Sequence, residues 1–150
     1  MNKWDTYFMD VSLAVSMLSK DKSTQLGAVI VGPDKEIRAT GYNSFPRGVN
    51  DNVPARQERP LKYQWFEHAE RNAIYNAARC GTSLKGCVIY CAWPPCTDCA
   101  RGIIQAGIVE VVVRSLNCVS RWADDMRVAL EMLEEAGVKI RVVEVQPCAE

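Results

Sequence analysis

Apolar residues recur at helical spacing from the start of the chain. Trp4, Phe8, Val11, Val15 and Leu18 form one stripe, which predicts an amphipathic helix over residues 4–20. The period then changes. Gly27–Val31 is a short unbroken apolar run closed by Gly32-Pro33-Asp34, a turn sequence, and a second strand is predicted over Ile37–Tyr42, making a hairpin. From residue 43 to 66 no periodicity survives, and the stretch holds three prolines and many charges. Loops this long in a compact domain are usually functional or mobile.

Helical spacing returns at residues 67–79, where Ala69, Ala73, Ile74 and Ala77 give an inner face, and Cys80-Gly81 ends the helix. A strand over 87–92 is broken by Pro94-Pro95, and a helix over 96–106 is ended by Gly107. A β-branched strand over 108–113, a helix over 122–136 and a last strand over 139–145 follow. The order αββαβαβαβ predicts a single α/β domain, a three-layer α/β/α sandwich with helices on both faces of the sheet. There are no internal repeats and no low-complexity tracts.

Composition sharpens this picture. At 150 residues, 48% apolar and 24% charged, the chain reads as one soluble globular domain. Eighteen basic residues balance eighteen acidic ones, so the formal net charge is zero. That balance favours a small substrate over a polynucleotide, whose binders carry a basic excess. No apolar run approaches the roughly 18 residues that span a bilayer, so no membrane partner is expected. Met1-Asn2-Lys3-Trp4-Asp5 leads straight into the amphipathic pattern without an export signal, and seven cysteines is an odd number. The expected location is cytoplasmic, with metal binding favoured over a disulfide framework.

The candidate chemistry lies in two short segments. His68, the only histidine, opens His68-Ala69-Glu70 at a predicted helix start, and Pro95-Cys96-Thr97-Asp98-Cys99 opens another. Cys96 and Cys99 are three apart on a first helical turn, which puts both sulfurs on one face. A helix N-terminus favours negative charge and so favours thiolates. One histidine and two cysteines make three ligands, leaving a fourth tetrahedral position for water, the arrangement of a catalytic zinc. Zinc can lower the pKa of such a water to about 7. Glu70, two residues beyond the histidine, is then placed to move protons from that water to the substrate.

Each feature alone has an ordinary reading. A lone C-x-x-C is as often a redox pair or half a structural zinc site, and a glutamate in a first turn often only complements the helix dipole. Together, in this order, they match the H-x-E…P-C-x-x-C pattern of the zinc deaminases, which a thioredoxin-like role would leave unexplained. Cys80, Cys87, Cys91, Cys118 and Cys148 have no partner spacing and are expected to be core fillers or inert thiols.

Over nearly its whole length the chain resembles the deoxycytidylate (dCMP) deaminase family. The likeness runs through Gln25-Leu26-Gly27-Ala28-Val29-Ile30 and Gly41-Tyr42-Asn43-Ser44-Phe45-Pro46-Arg47-Gly48. It continues in His68-Ala69-Glu70-Arg71-Asn72-Ala73-Ile74, Pro95-Cys96-Thr97-Asp98-Cys99-Ala100 and Ile103-Ile104-Gln105-Ala106-Gly107-Ile108. The resemblance implies a five-stranded mixed sheet of the cytidine deaminase type and hydrolysis of dCMP to dUMP, which feeds thymidylate synthesis. It also implies one catalytic zinc per chain, a homo-oligomer (a hexamer), activation by dCTP and inhibition by dTTP with Mg²⁺. By the same resemblance Asn43 and Ala69 contact the substrate, Asn43 at the sugar. Gly41, Tyr42, Ser44, Arg47 and Gly48 are then expected near a regulatory nucleotide.

The chain departs from the family at two places. Ser44 stands where the family often has glycine. Residues 115–122 lack the tyrosine that many relatives set against the substrate, and Arg121 and Trp122 are the candidates to replace it, on phosphate and base respectively. The residues equally allow Trp122 as a helix-start core residue and Arg121 as a solvated one. Arg56, Arg59 and Lys62 in the long loop face the same choice between phosphate and solvent. Three alternatives stay open: a deaminase of another cytosine nucleotide or nucleoside, a tRNA adenosine deaminase, disfavoured by the neutral charge, and a catalytically silent nucleotide-sensing module.

Overall fold

The fully buried run Gly27–Val31 forms β1, the second strand of a five-stranded sheet. It pairs antiparallel with β2 (Ile37–Tyr42) on one side and with β3 (Val88–Cys91) on the other. β4 (Glu110–Val113) and β5 (Lys139–Val142) continue the sheet in parallel, giving the order β2-β1-β3-β4-β5. This architecture comes from a computed structural model that describes residues 2–117 and 120–143. Its helices are α1 (Lys3–Ser16), α2 (Lys62–Trp65), α3 (Ala69–Cys80), α4 (Thr97–Gln105) and α5 (Ala123–Glu135). The expected α/β/α sandwich is therefore observed. The expected end of the last strand, residues 144 and 145, lies outside the described residues, as do Cys118 and Cys148.

Alternation along the strands divides the core into two. Ala28, Ile30, Ile89, Val111 and Val113 pack with α3, α4 and α5, while Val29, Val31, Tyr90 and Val112 pack with Phe8 and Met9 of α1. Fully buried side chains such as Ile30, Ile89 and Ile103 each contribute about 2 kcal/mol by leaving water.

The first helix corrects the sequence reading. Its buried face is Asp5, Phe8, Met9, Ser12 and Ser16, whereas Trp4 and Leu18 are 40% and 63% exposed. The stripe is rotated because α1 presses onto β1 at Gly27, where an added Cβ would stand 2.1 Å from the Ser12 carbonyl oxygen. Only small residues permit that approach, and both serine hydroxyls donate back to the helix, to the Met9 and Leu13 carbonyls. Asp5 is tolerated inside because Arg141 donates two hydrogen bonds to it and the Tyr90 hydroxyl a third. The helix also ends earlier than expected, because Ser19 and Asp21 belong to a polar cluster beyond it. Likewise Cys80 is exposed and not a core filler, whereas Cys87 and Cys91 are buried.

Segment 43–66, expected as an irregular loop, is partly ordered by hydrogen bonds. Ser44 and Glu67 pair as an isolated bridge that closes its ends, a short 3₁₀ turn spans Pro54–Gln57, and α2 carries Lys62 inward. There the Lys62 ammonium meets Asp21 at 2.6 Å, with only 7% and 4% of the two side chains exposed. Asp21 also accepts from the Ser23 and Thr24 amides, the Ser23 hydroxyl and the Asn43 amide. Among the described residues no helix is long and apolar enough to cross a membrane.

Burial pushes the Asp21 carboxyl up, but Lys62 and the two backbone amides outweigh it, so its pKa lies below the ordinary value. A depressed folded-state pKa stabilises the fold above the unfolded value of about 3.9, and that stability is lost as pH falls through the folded value. Asp21→Asn leaves Lys62 buried without its counter-charge and is expected to cost on the order of 3 kcal/mol at pH 7. Thermal unfolding at a series of pH values checks this. The gap between the variant and the wild type should narrow as pH falls below about 4.

Candidate active site

Two helix starts arrive at one point. His68 is the N-cap of α3, Cys96 is the N-cap of α4, and Cys99 lies in the first turn of α4. His68 Nδ1 is 3.4 Å from Cys96 Sγ and 3.6 Å from Cys99 Sγ, and one donor atom from each residue lies within 4.8 Å of the others. The sequence places them there by simple means. β3 runs into Trp93-Pro94-Pro95, which cannot continue the ladder, and the chain turns into α4. The Ser44–Glu67 bridge sets the residue before His68, and the Glu67 carboxylate accepts the His68 backbone N–H at 3.1 Å.

The two thiols are electrically linked. A hydrogen bond with Cys99, helped by His68, pulls Cys96 down to about 4 against the effect of burial. Cys99, hydrogen-bonded to that sulfur and buried, is pushed up. Burial alone would lower the pKa of His68, but Cys96 and the Glu70 charge carry it above the ordinary value. One nitrogen and two sulfurs are a donor set that suits zinc, and three protein ligands leave one coordination position over. The residues therefore fit a zinc ion of the catalytic kind.

Glu70 sits beside this cluster, one carboxylate oxygen 3.7 Å from Cys99 Sγ. It is 8% exposed, and burial raises its pKa above the ordinary carboxylate value. Arg71 pairs with Glu67, lies 3.5 Å from the Asp98 carboxylate and points an N–H at Cys96 Sγ from 3.9 Å.

A cleft of about 750 Å³ opens onto the cluster, and His68, Glu70 and Cys96 line it. Tyr63, Phe66, Trp93 and Trp122 give it an aromatic part. Trp122 stands edge-on to His68 and to Tyr63, with ring centres 6.3 and 5.5 Å apart. Asn43 lines it too, but its amide group is already engaged, donating to Asp21 and to the Thr24 carbonyl while its oxygen accepts the Leu26 N–H. Arg59 and Arg121 also border the cleft, and neither is in an ion pair among the described residues. Arg56 goes elsewhere, stacking 3.7 Å over Trp65, and Lys62 is held by Asp21.

Of the sequence candidates, His68, Glu70, Cys96, Cys99, Asn43, Arg121 and Trp122 thus share one site. The Ala69 methyl is buried in the core, so only its backbone remains to meet a ligand. Tyr42, Ser44, Arg47 and Gly48 line a second cleft of about 740 Å³ with Lys20, Asp51, Asn72 and Asn76. Gly41 is buried under α3, where an added Cβ would lie 2.4 Å from the Ala69 carbonyl oxygen. The sequence reading missed Asp21, Tyr63, Phe66 and Trp93, which also line the first cleft. The aromatic residues on either side of the two metal-ligand segments were the available signal.

Comparison with known proteins agrees with this geometry. A family model described as the cytidine and deoxycytidylate deaminase zinc-binding region matches residues 2–115. The chain is 39% identical to human deoxycytidylate deaminase over 144 residues, covering 93% of this chain and 79% of that protein. It is also 39% identical over 142 residues to an uncharacterised deaminase of Aliivibrio fischeri, covering 93% of each. Among solved structures, the dCMP deaminase of cyanophage S-TIM5 in complex with dCMP and dUMP superposes with a TM-score of 0.78. Its identity is 26%, with 95% of this chain and 99% of that one covered. The chain belongs to the cytidine and deoxycytidylate deaminase family.

Proposed function

We propose that this protein hydrolyses dCMP to dUMP and ammonia, using a zinc ion held by His68, Cys96 and Cys99. The observation that carries the reading is the buried Glu70 carboxyl beside that donor cluster, at a partly aromatic cleft bordered by two arginines. The phage deaminase with which the chain superposes was solved with dCMP and dUMP, the substrate and product of this reaction.

Bound zinc supplies Lewis acidity, which makes water acidic enough to act as a nucleophile at neutral pH. The chain's own residues do the rest. Glu70 takes a proton from the attacking water and delivers it to the ring nitrogen N3. It then passes the second proton to the departing amine, so that water and dCMP become ammonia and dUMP. Its raised pKa suits this work, because a group that both takes and returns a proton works best when its pKa lies nearer the working pH, and burial moves Glu70 in that direction. The Ala69 N–H, in the first turn of α3 and without an intrahelical acceptor, would meet the carbonyl of the base. Trp122 and Tyr63 wall the ring. Asn43 has a second lone pair on Oδ1 to accept a sugar hydroxyl. Arg59 and Arg121 take the phosphate, the role for which a guanidinium fork is suited.

The second cleft is our candidate for the regulatory nucleotide, dCTP as activator or dTTP as inhibitor, with Mg²⁺ on its phosphates. In support, Ser44 lines that cleft and hydrogen-bonds to Glu67, the residue before His68. The product dUMP would serve thymidylate synthesis, and the assembly would be a homo-hexamer in the cytoplasm.

Glu70→Gln tests the proton transfer. Ammonia release from dCMP should fall by at least about a hundredfold while zinc content, measured by metal analysis, stays at the wild-type level. Activity that survives the substitution contradicts the role given to Glu70. Arg121→Ala and Arg59→Ala test the substrate. Each loses a charge-assisted bond worth about 1.5–3 kcal/mol, so KM for dCMP should rise about tenfold or more. Turnover of deoxycytidine, which has no phosphate, should not change. A wild type that prefers deoxycytidine to dCMP overturns the nucleotide reading.

A further inference from the structure

Cys96 presents a capping problem. It is the N-cap of α4, yet it gives no side-chain cap to that helix, because its sulfur is turned to His68 and Cys99. The first N–H groups of α4 therefore need an acceptor from elsewhere. The acceptor is Asp125 in the first turn of α5, 28 residues further along the chain than Thr97. Its Oδ2 accepts the Thr97 backbone N–H at 2.9 Å, and its Oδ1 accepts the Thr97 hydroxyl at 2.8 Å. Thr97 lies between the two sulfur ligands, next to Cys96.

The same turn of α5 carries the cleft wall. Trp122 is the residue before α5, and Met126 follows Asp125; both line the cleft, and Trp122 faces the His68 ring. The bidentate contact thus joins two parts of the site that are otherwise in different elements. Its neighbour Asp124 has the same charge in the same turn, but it is exposed and makes no such bond.

We propose that Asp125 is a positioning residue that locks the cysteine-bearing turn to the wall formed by Trp122 and Met126. Zinc affinity and substrate fit then depend on one carboxylate that touches neither metal nor substrate. The inference rests on the deaminase reading, and it adds that the metal turn and the base wall move as one piece.

The test measures three quantities on full-length variants: zinc affinity by chelator competition, kcat and KM for dCMP, and thermal stability. Asp125→Ala should weaken zinc binding by on the order of tenfold, within the range known for residues that support metal ligands. It should also raise KM by about tenfold with a smaller change in kcat, since the wall shifts while Glu70 stays. Thr97→Val, which keeps the backbone bond and loses the hydroxyl, should show smaller changes of the same kind, and Thr97→Ser should restore wild-type values. Asp124→Ala should alter none of the three. An Asp125→Ala protein with wild-type zinc affinity and KM, whatever its melting temperature, overturns the proposal. If that variant does not fold, Thr97→Val decides: wild-type zinc affinity and KM in it would equally sink the idea. Zinc affinity is read without turnover, so a wild type inactive on dCMP would fail the deaminase reading and leave this result separately legible.

Discussion

Both helices that build the site carry a member of the His68, Cys96 and Cys99 donor cluster at the N-cap position, and much of the surrounding structure answers to that constraint. An N-cap residue ordinarily turns its side chain back to the helix amides. His68 and Cys96 turn theirs toward each other instead, so neither side chain caps its own helix, and neighbouring acids meet other donors at the two turns. Glu67 accepts the His68 amide, and Asp125 reaches from α5 to accept the Thr97 amide and hydroxyl. Arg71 and Ser44, in turn, hold Glu67. Two acids, one arginine and an isolated bridge thus stand around three donor atoms that lie within 4.8 Å of one another.

A second buried acid orders another part of the cleft lining. Asp21 collects five hydrogen bonds, and in doing so it fixes the loop after α1, the amide of Asn43 and the ammonium of Lys62. A buried ion pair adds little stability over well-packed apolar residues. Its contribution here is specific geometry: it brings α2 to the cleft and determines which way Asn43 points. Among the described residues neither cleft arginine is in an ion pair, although Arg59 donates to the Ser23 hydroxyl at 3.4 Å, and Glu70 lines the same cleft. A ligand that carries both an amine and a phosphate suits that set of groups.

Much of this was legible in the chain. The five strands follow from apolar runs and β-branched residues, and the meeting of His68, Cys96 and Cys99 follows from a recognised pattern at two predicted helix starts. Gly81 ends α3 in the left-handed conformation with φ 71°, as its position after a helical stripe implied. What was not legible depends on tertiary packing. Of the stripe Trp4, Phe8, Val11, Val15 and Leu18, the middle three meet the core, but Trp4 and Leu18 do not, and close approach at Gly27 adds Ser12 and Ser16 to the buried face. Gly41, expected near a regulatory nucleotide, is also the close contact that lets α3 lie on β2, which the sequence does not show. Asp21, Lys62 and Asp125 have no periodicity to announce them, because each matters only through a partner distant in sequence.

Formation of dUMP from dCMP by the protein before and after its zinc is stripped with a chelator bears most directly on the central claim. Zinc-loaded protein should form dUMP with ammonia in equal amount, the stripped protein should form none, and added zinc should restore the rate. Loaded protein that forms no dUMP, or stripped protein that forms it at the same rate, would contradict the account.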